Sequence, residues 1–152
     1  MDAGRDPLRT GDRLAITALN DRFGEALDHA KLDQFLDLFA DGVIYVNGDR
    51  VLRGVEELRA FFMARAEAGR VSRHIYSGLQ ITFDQGGRAT GRSVWLTFAG
   101  EGPVPVSRTD PFVVADVTDE YRRDDAGTWR IATRHIRPVF RNPAIAAVGA
   151  KA

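Results

Sequence analysis

The spacing of apolar residues changes once along this chain, and that change limits the fold more than any other feature. Before Gly69 the apolar positions recur every three or four residues around one short β-rich stretch; after it they alternate. Ile16, Leu19, Phe23, Ala26, Leu27 and Ala30 predict a first helix over 13–30, with Asp12 as its N-cap. Leu32, Phe35, Leu36 and Phe39 predict a second, shorter helix over 31–40, ended by Asp41-Gly42. Residues 54–69 predict a third, with Leu58, Phe61, Phe62 and Ala66 inward and acidic residues near its start. Between the last two, VIYVNGDRVLRG holds two β-rich runs around Asn47-Gly48, a strong hairpin signal. Beyond Gly69, strands are predicted over 75–83, 88–98, 112–123 and 129–137. Long antiparallel strands after three helices predict an α+β fold, with the helices on one face of a curved sheet.

At 152 residues the chain has the length of one domain, expected over 13–140 between a loose arm (1–12) and a small-residue tail (141–152). Twenty-one basic side chains balance twenty-one acidic ones, so no overall field draws the protein to nucleic acid or an anionic membrane. No apolar run approaches the ~20 residues of a bilayer span. The absence of cysteine excludes disulfides and thiolate chemistry and fits a cytoplasmic protein. Three scattered histidines give no metal-ligand spacing, so no metal or other cofactor is expected. A small molecule is the expected partner. The loop over 100–111, longer than a hairpin needs, is expected to be a lid or a dimer contact.

Four stretches carry a further signal by their order: ALDHAKLDQFLDLFADGVIY (26–45), LRGVEELRAFF (52–62), SRHIYSGLQITF (72–83) and DEYRRDDAGTW followed by RI (119–131). Together they resemble the SnoaL-like and scytalone-dehydratase-like families of the nuclear transport factor 2-like superfamily. The resemblance covers about residues 13–137 and implies a cone-shaped α+β barrel: three helices packed on a strongly curved, mainly antiparallel sheet around a pocket. It also implies a homodimer. In the dehydratase and dehydrochlorinase branches an Asp ending the first helix orients a His at the start of a central strand, and Asp28 and His74 match those positions. Such a carboxylate fixes the imidazole tautomer and stabilises the imidazolium formed on proton abstraction. The implied activity is a cofactor-independent lyase or isomerase acting on a small apolar, polyketide-, steroid- or aromatic-like molecule. One position departs from the pattern: relatives often carry Asn four residues after the His, where this chain has Gly78.

Each residue also has a plainer reading. A His beside a strand is more often a surface or core residue, and an Asp at a helix end is often a cap. On a regular helix Asp28 lies well away from the stripe centred near Leu19 and Phe23. Tyr45, Tyr76 and Trp95 are candidate pocket residues that also serve as packing. His135 shares strand parity with Trp129 and Ile131 and is a candidate inward residue or a rim histidine. Asp116, in a Val-rich strand, is a second pocket acid or an edge charge. His29 is expected at the surface. The helix-one Tyr and first-strand Asp of ketosteroid isomerases are absent, since Phe23 and Tyr45-Val46 stand near those places. Two alternatives to an enzyme remain: a non-catalytic ligand-binding protein, and an assembly subunit resembling the small subunit of aromatic-ring dioxygenases.

Overall fold

The structure is a computed structural model and describes residues 9–145. Helix α1 (Thr10–Asp28) and the short α2 (Leu32–Leu36) precede strands β1 (Phe39–Asn47) and β2 (Arg50–Arg53). Helix α3 (Gly54–Glu67) follows, then β3 (Val71–Phe83), β4 (Arg88–Gly100), β5 (Val113–Arg123) and β6 (Trp129–Arg141). The six strands form one sheet in the order β2-β1-β6-β5-β4-β3. Every pairing is antiparallel except β1 with β6. The sheet is curved but not closed, so the expected barrel is an open cone with β2 and β3 as its edges. His74 therefore lies on an edge strand rather than a central one.

Several element boundaries depart from the sequence expectation. α1 begins at Thr10 with Arg9 before it, so Asp12 sits in the first turn and is not the cap. Its carboxylate instead accepts from Trp129 Nε1 at 2.9 Å and pairs with Arg9 at 3.3 Å, tying the helix start to β6. Ala30, expected in the stripe, is exposed at φ 53 where the chain leaves the helix. Phe39 opens β1 instead of ending α2, and Asp41-Gly42 falls in a register irregularity within that strand. Ala66 points outward. The hairpin holds: Asn47 pairs with Arg50 around a Gly48-Asp49 turn. Of the expected arm and tail, residues 1–8 and 146–152 lie outside the described residues.

The buried face of α1 meets an aromatic cluster. Phe23 packs against Phe35 (5.7 Å between centroids) and edge-on to Trp95 (5.5 Å), and Phe35 against Phe39 (5.0 Å) and Phe62 (4.9 Å). Removing one such ring from a filled core costs about 3–5 kcal/mol. At the start of α3, Glu57 Oε2 accepts the Arg53 N–H at 2.7 Å, so an acid of the first turn covers a backbone donor at the helix start. Helices and sheet thus hold α1 against the inner face of β3 and β4, where the cavity opens.

Candidate active site

α1 ends at Asp28, and α3 and β3 bring three partners to that end. The Asp28 carboxylate accepts from His74 Nδ1 at 2.6 Å, from the His74 backbone N–H at 2.8 Å and from Ser72 Oγ at 2.8 Å. Arg65 Nη2 donates in turn to Ser72 Oγ at 2.5 Å. Sequence periodicity set Asp28 off the apolar stripe, yet its side chain is only 6% exposed. The reason lies in a second row on the same helix: Asn20, Gly24 and Asp28 recur every four residues and face the sheet. None of the three contributes hydrophobicity, so an apolar stripe cannot reveal that row. Gly24 sits close enough to β3 that a Cβ there would stand 3.4 Å from that of His74.

Burial and the two nearby guanidiniums, of Arg65 and Arg70, outweigh the pull of Asp28 and hold His74 below the ordinary imidazole range. Burial alone would raise Asp28, but its bonds from His74 and Ser72 prevail and hold it below the usual carboxylate value. At neutral pH the pair is therefore a carboxylate and a neutral ring. An ionised carboxylate only accepts, so Nδ1 carries the ring proton and Nε2 is left with its lone pair.

His74 lines a cavity of about 460 Å³. Its wall includes Phe23 and Leu27 from α1, Tyr45 from β1, Phe61 from α3, and Trp95, Ala115 and Val117 from the sheet. Tyr45 is 2% exposed, and burial raises its phenol above the ordinary value, so it stays protonated and can donate. Trp95 anchors its indole N–H on Ser93 Oγ at 2.9 Å. Both are where the sequence reading expected pocket residues.

Three other candidates are elsewhere. Tyr76 stacks on Trp95 with 4.8 Å between centroids, but its hydroxyl turns to Asp21 on α1, outside the cavity wall. His135 is exposed on the other face of the sheet. A bulge moves it there: Thr133 pairs with Glu120 but Ile131 with Tyr121, so Ala132 is an extra residue and parity flips. Arg134 consequently takes the inward place. Asp116 also faces outward, paired with Arg137 at 2.7 Å, on β5 in the sheet interior rather than at an edge. His29 is at the surface as expected. Gly78 occupies a bulge in β3 at φ 68, a conformation that favours glycine, and borders the outer cleft rather than the His74 cavity. Its lack of a side chain takes no donor from this cavity. None of residues 101–111 lines the cavity either; the wall resumes at Phe112.

Sequence reasoning missed the arginines. Arg134 is fully buried, bidentate to Asp119 at 2.8 and 2.7 Å, and bonded to Asn20 Oδ1 at 2.5 Å. Tyr121 completes the set, donating to Asp119 at 2.7 Å and accepting from Asn20 at 3.0 Å. Asp119 shares strand parity with Ala115, Val117 and Tyr121, and that alternation was the available signal for an inward acid. Arg50, Arg65, Arg70 and Arg141 also line the cavity. Among the described residues no group of three or more His, Asp or Glu side chains is placed to hold a metal ion, and no helix is long and apolar enough to cross a membrane.

Comparisons with known proteins agree with this architecture. A Nostoc punctiforme protein of unknown function with a cystatin-like fold aligns at TM-score 0.74 and 26% identity, covering 90% of this chain and 97% of its own. A protein of unknown function from Mycobacterium tuberculosis aligns at 0.75 and 24%, covering 99% and 87%. A candidate scytalone dehydratase from Novosphingobium aromaticivorans aligns at 0.76 and 18%, covering 93% and 95%. No curated protein sequence matches the chain. The SnoaL-like domain model matches residues 9–135, nearly all of the helices and sheet described above, and the chain belongs to that family, within the nuclear transport factor 2-like superfamily.

Proposed function

We propose that the protein is a lyase or isomerase that removes a proton from carbon with His74, oriented by Asp28, and uses no cofactor. The family and the fold it shares with the scytalone-dehydratase-like protein support a ligand-binding or lyase-type role in general terms. The observation that carries the sharper reading is the 2.6 Å bond from His74 Nδ1 to Asp28, which leaves Nε2 as the ring nitrogen available to the cavity. In the proposed reaction Nε2 takes a proton from the carbon beside a carbonyl. The electron pair of that C–H bond passes to the carbonyl as an enolate, for which the Tyr45 phenol is the candidate donor. The pair then returns to expel a β-hydroxyl, which leaves as water with the proton held by His74. A general base of this kind contributes about 10²–10⁴-fold.

The test is dehydration of 3-hydroxy-1-tetralone, a bicyclic β-hydroxy ketone, to 1-naphthol, followed by absorbance. His74→Gln and Asp28→Asn are expected to retain wild-type melting to within a few degrees and to lose turnover. Full activity in His74→Gln sinks the proposal. The outer sheet face exposes Ile75, Val94, Val139 and Phe140, and a homodimer across it is the proposed assembly. A monomer in sedimentation at micromolar concentration argues against that assembly.

A further inference from the structure

The charge around the cavity does not suit a neutral ligand. Among the described residues five guanidiniums line it, from Arg50, Arg65, Arg70, Arg134 and Arg141, against a single lining carboxylate, Asp49. The five differ in their settings. Arg134 is neutralised by its bidentate bond to Asp119, and Arg65 is engaged with Ser72 beside Asp28. Arg50 lies over Phe61 at 5.1 Å. Arg70 and Arg141 flank one ring: their guanidinium carbons stand 4.6 and 5.7 Å from the centroid of Phe112.

Phe112 is itself fixed. Its N–H donates to Thr97 O at 2.7 Å and its carbonyl accepts from Asn142 N–H at 2.9 Å. Those bonds fix the Phe112 backbone, and both planar groups lie over its ring in the cavity wall, Arg70 half-buried and Arg141 exposed. Burial first, and then repulsion from Arg65, push Arg70 down to about 10; Glu101 pulls the other way, more strongly than Arg141 repels. An anion placed there relieves that repulsion. It also screens the Arg65 and Arg70 charges that depress His74, making the base stronger when the ligand is bound.

We propose that the ligand is an apolar, aromatic carboxylate whose anionic group is held by Arg70 and Arg141 at the rim while its ring body fills the space between Phe23, Phe61 and Trp95. This rests on the reading of the cavity as the substrate site and replaces a neutral substrate with an acidic one. Carboxylate fits the planar fork of a guanidinium, and two such forks stand against one ring in the cavity wall. The anion sits at the rim and the carbon acid lies deeper, toward His74.

Calorimetric titration with 2-naphthoate, 2-naphthamide and 2-naphthyl phosphate tests this on the full chain. The carboxylate is expected to bind on the order of ten- to a hundred-fold more tightly than the amide. Arg70→Gln and Arg141→Gln are each expected to reduce that ratio, and the double variant to bring it near one. Arg137→Gln, on the outer face, serves as control and is expected to leave the ratio unchanged. Equal binding of carboxylate and amide, binding of neither, or a ratio unchanged in the double variant overturns the proposal. A clear preference for the phosphate over the carboxylate overturns it as well. His74→Gln separates the two readings: it is expected to abolish dehydration while keeping the carboxylate preference. No carboxylate preference in the wild-type protein, with turnover of the neutral ketone intact, would leave His74 chemistry standing without an acidic substrate.

Discussion

Two turns apart on α1, Asp28 and Asn20 each meet a basic side chain that lines the cavity, and the two meetings end differently. Asn20 joins Arg134, Asp119 and Tyr121 in a set whose hydrogen bonds are almost all spent on one another. Asp28 joins His74 through one ring nitrogen and leaves the other over. Arg134 is held above its ordinary value and stays charged, because Asp119 outweighs the burial that opposes its charge. His74 is neutral near pH 7 and can change. The same device, a carboxylate beside a buried base, therefore gives scaffold in one place and a reactive group in the other. Arg134 also leaves one buried nitrogen, Nη1, without a hydrogen-bond partner among the described residues, so what separates the two is the proton affinity of the base.

Breaking each pair should expose that difference. Asp119→Ala leaves the Arg134 guanidinium buried without its counter-charge, which costs about 3–5 kcal/mol. A large drop in the urea midpoint or a failure to fold is the expected outcome. A variant within about 1 kcal/mol of wild type would show the second set to be dispensable as scaffold. Asp28→Asn should do the reverse. The amide oxygen still accepts from the His74 backbone N–H while its NH2 meets Ser72 Oγ, which can accept, so stability changes by roughly 1 kcal/mol. Turnover of the ketone falls much further, because an amide no longer stabilises the imidazolium.

A smaller effect sharpens the scaffold side. Gly91 on β4 lies under the Tyr121 ring: a Cβ there would stand 2.8 Å from Tyr121 Cε2 and 2.9 Å from its hydroxyl. Gly91→Ala must displace the ring that donates to Asp119, an overpacking cost of about 1–3 kcal/mol. Thermal melting should show this loss while His74 chemistry in the surviving folded fraction stays near wild type. Equal damage to activity would mean that the two sets are coupled through α1.

The sequence showed much of the fold and rather less of the site, for reasons that can be located. The turn of period at Gly69, the Asn47-Gly48 hairpin and the stripe through Ile16, Leu19 and Phe23 are local patterns, and local patterns survive into the structure. Phe39 failed because an apolar residue at helical spacing can equally begin a strand, and here it pairs with Ile131 of β6. His135 and Arg134 exchanged places because one extra residue at Ala132 reverses every following side chain, and nothing in the residues around it announces a bulge. Asp28 and His74 were named through resemblance, since the row Asn20–Gly24–Asp28 is invisible to hydrophobic periodicity. The arginine rim was missed for a different cause. Zero net charge over the whole chain hides five like charges that only the fold brings to one cavity.

The smallest effect separates the two pairs by titration. His74 is held below its ordinary value of 6.5, so between that value and its lower folded one the unfolded chain binds a proton that the folded chain refuses. Its contribution to stability is complete above pH 6.5 and is lost as pH falls through the folded value. Asp28, also lowered, from 3.8, adds a similar loss at more acidic pH. His74→Gln should therefore flatten the fall in melting temperature just below pH 6.5, and Arg134 should add no slope there because it does not titrate in that range. The same neutral ring governs activity, so kcat/KM should fall on the acid side with a midpoint below 6.5. Asp28→Asn removes the interactions that raise His74 and should move that midpoint lower still. A midpoint that moves upward in Asp28→Asn would mean that the carboxylate is not what orients and charges the ring, and the contrast between the two pairs would lose its physical basis.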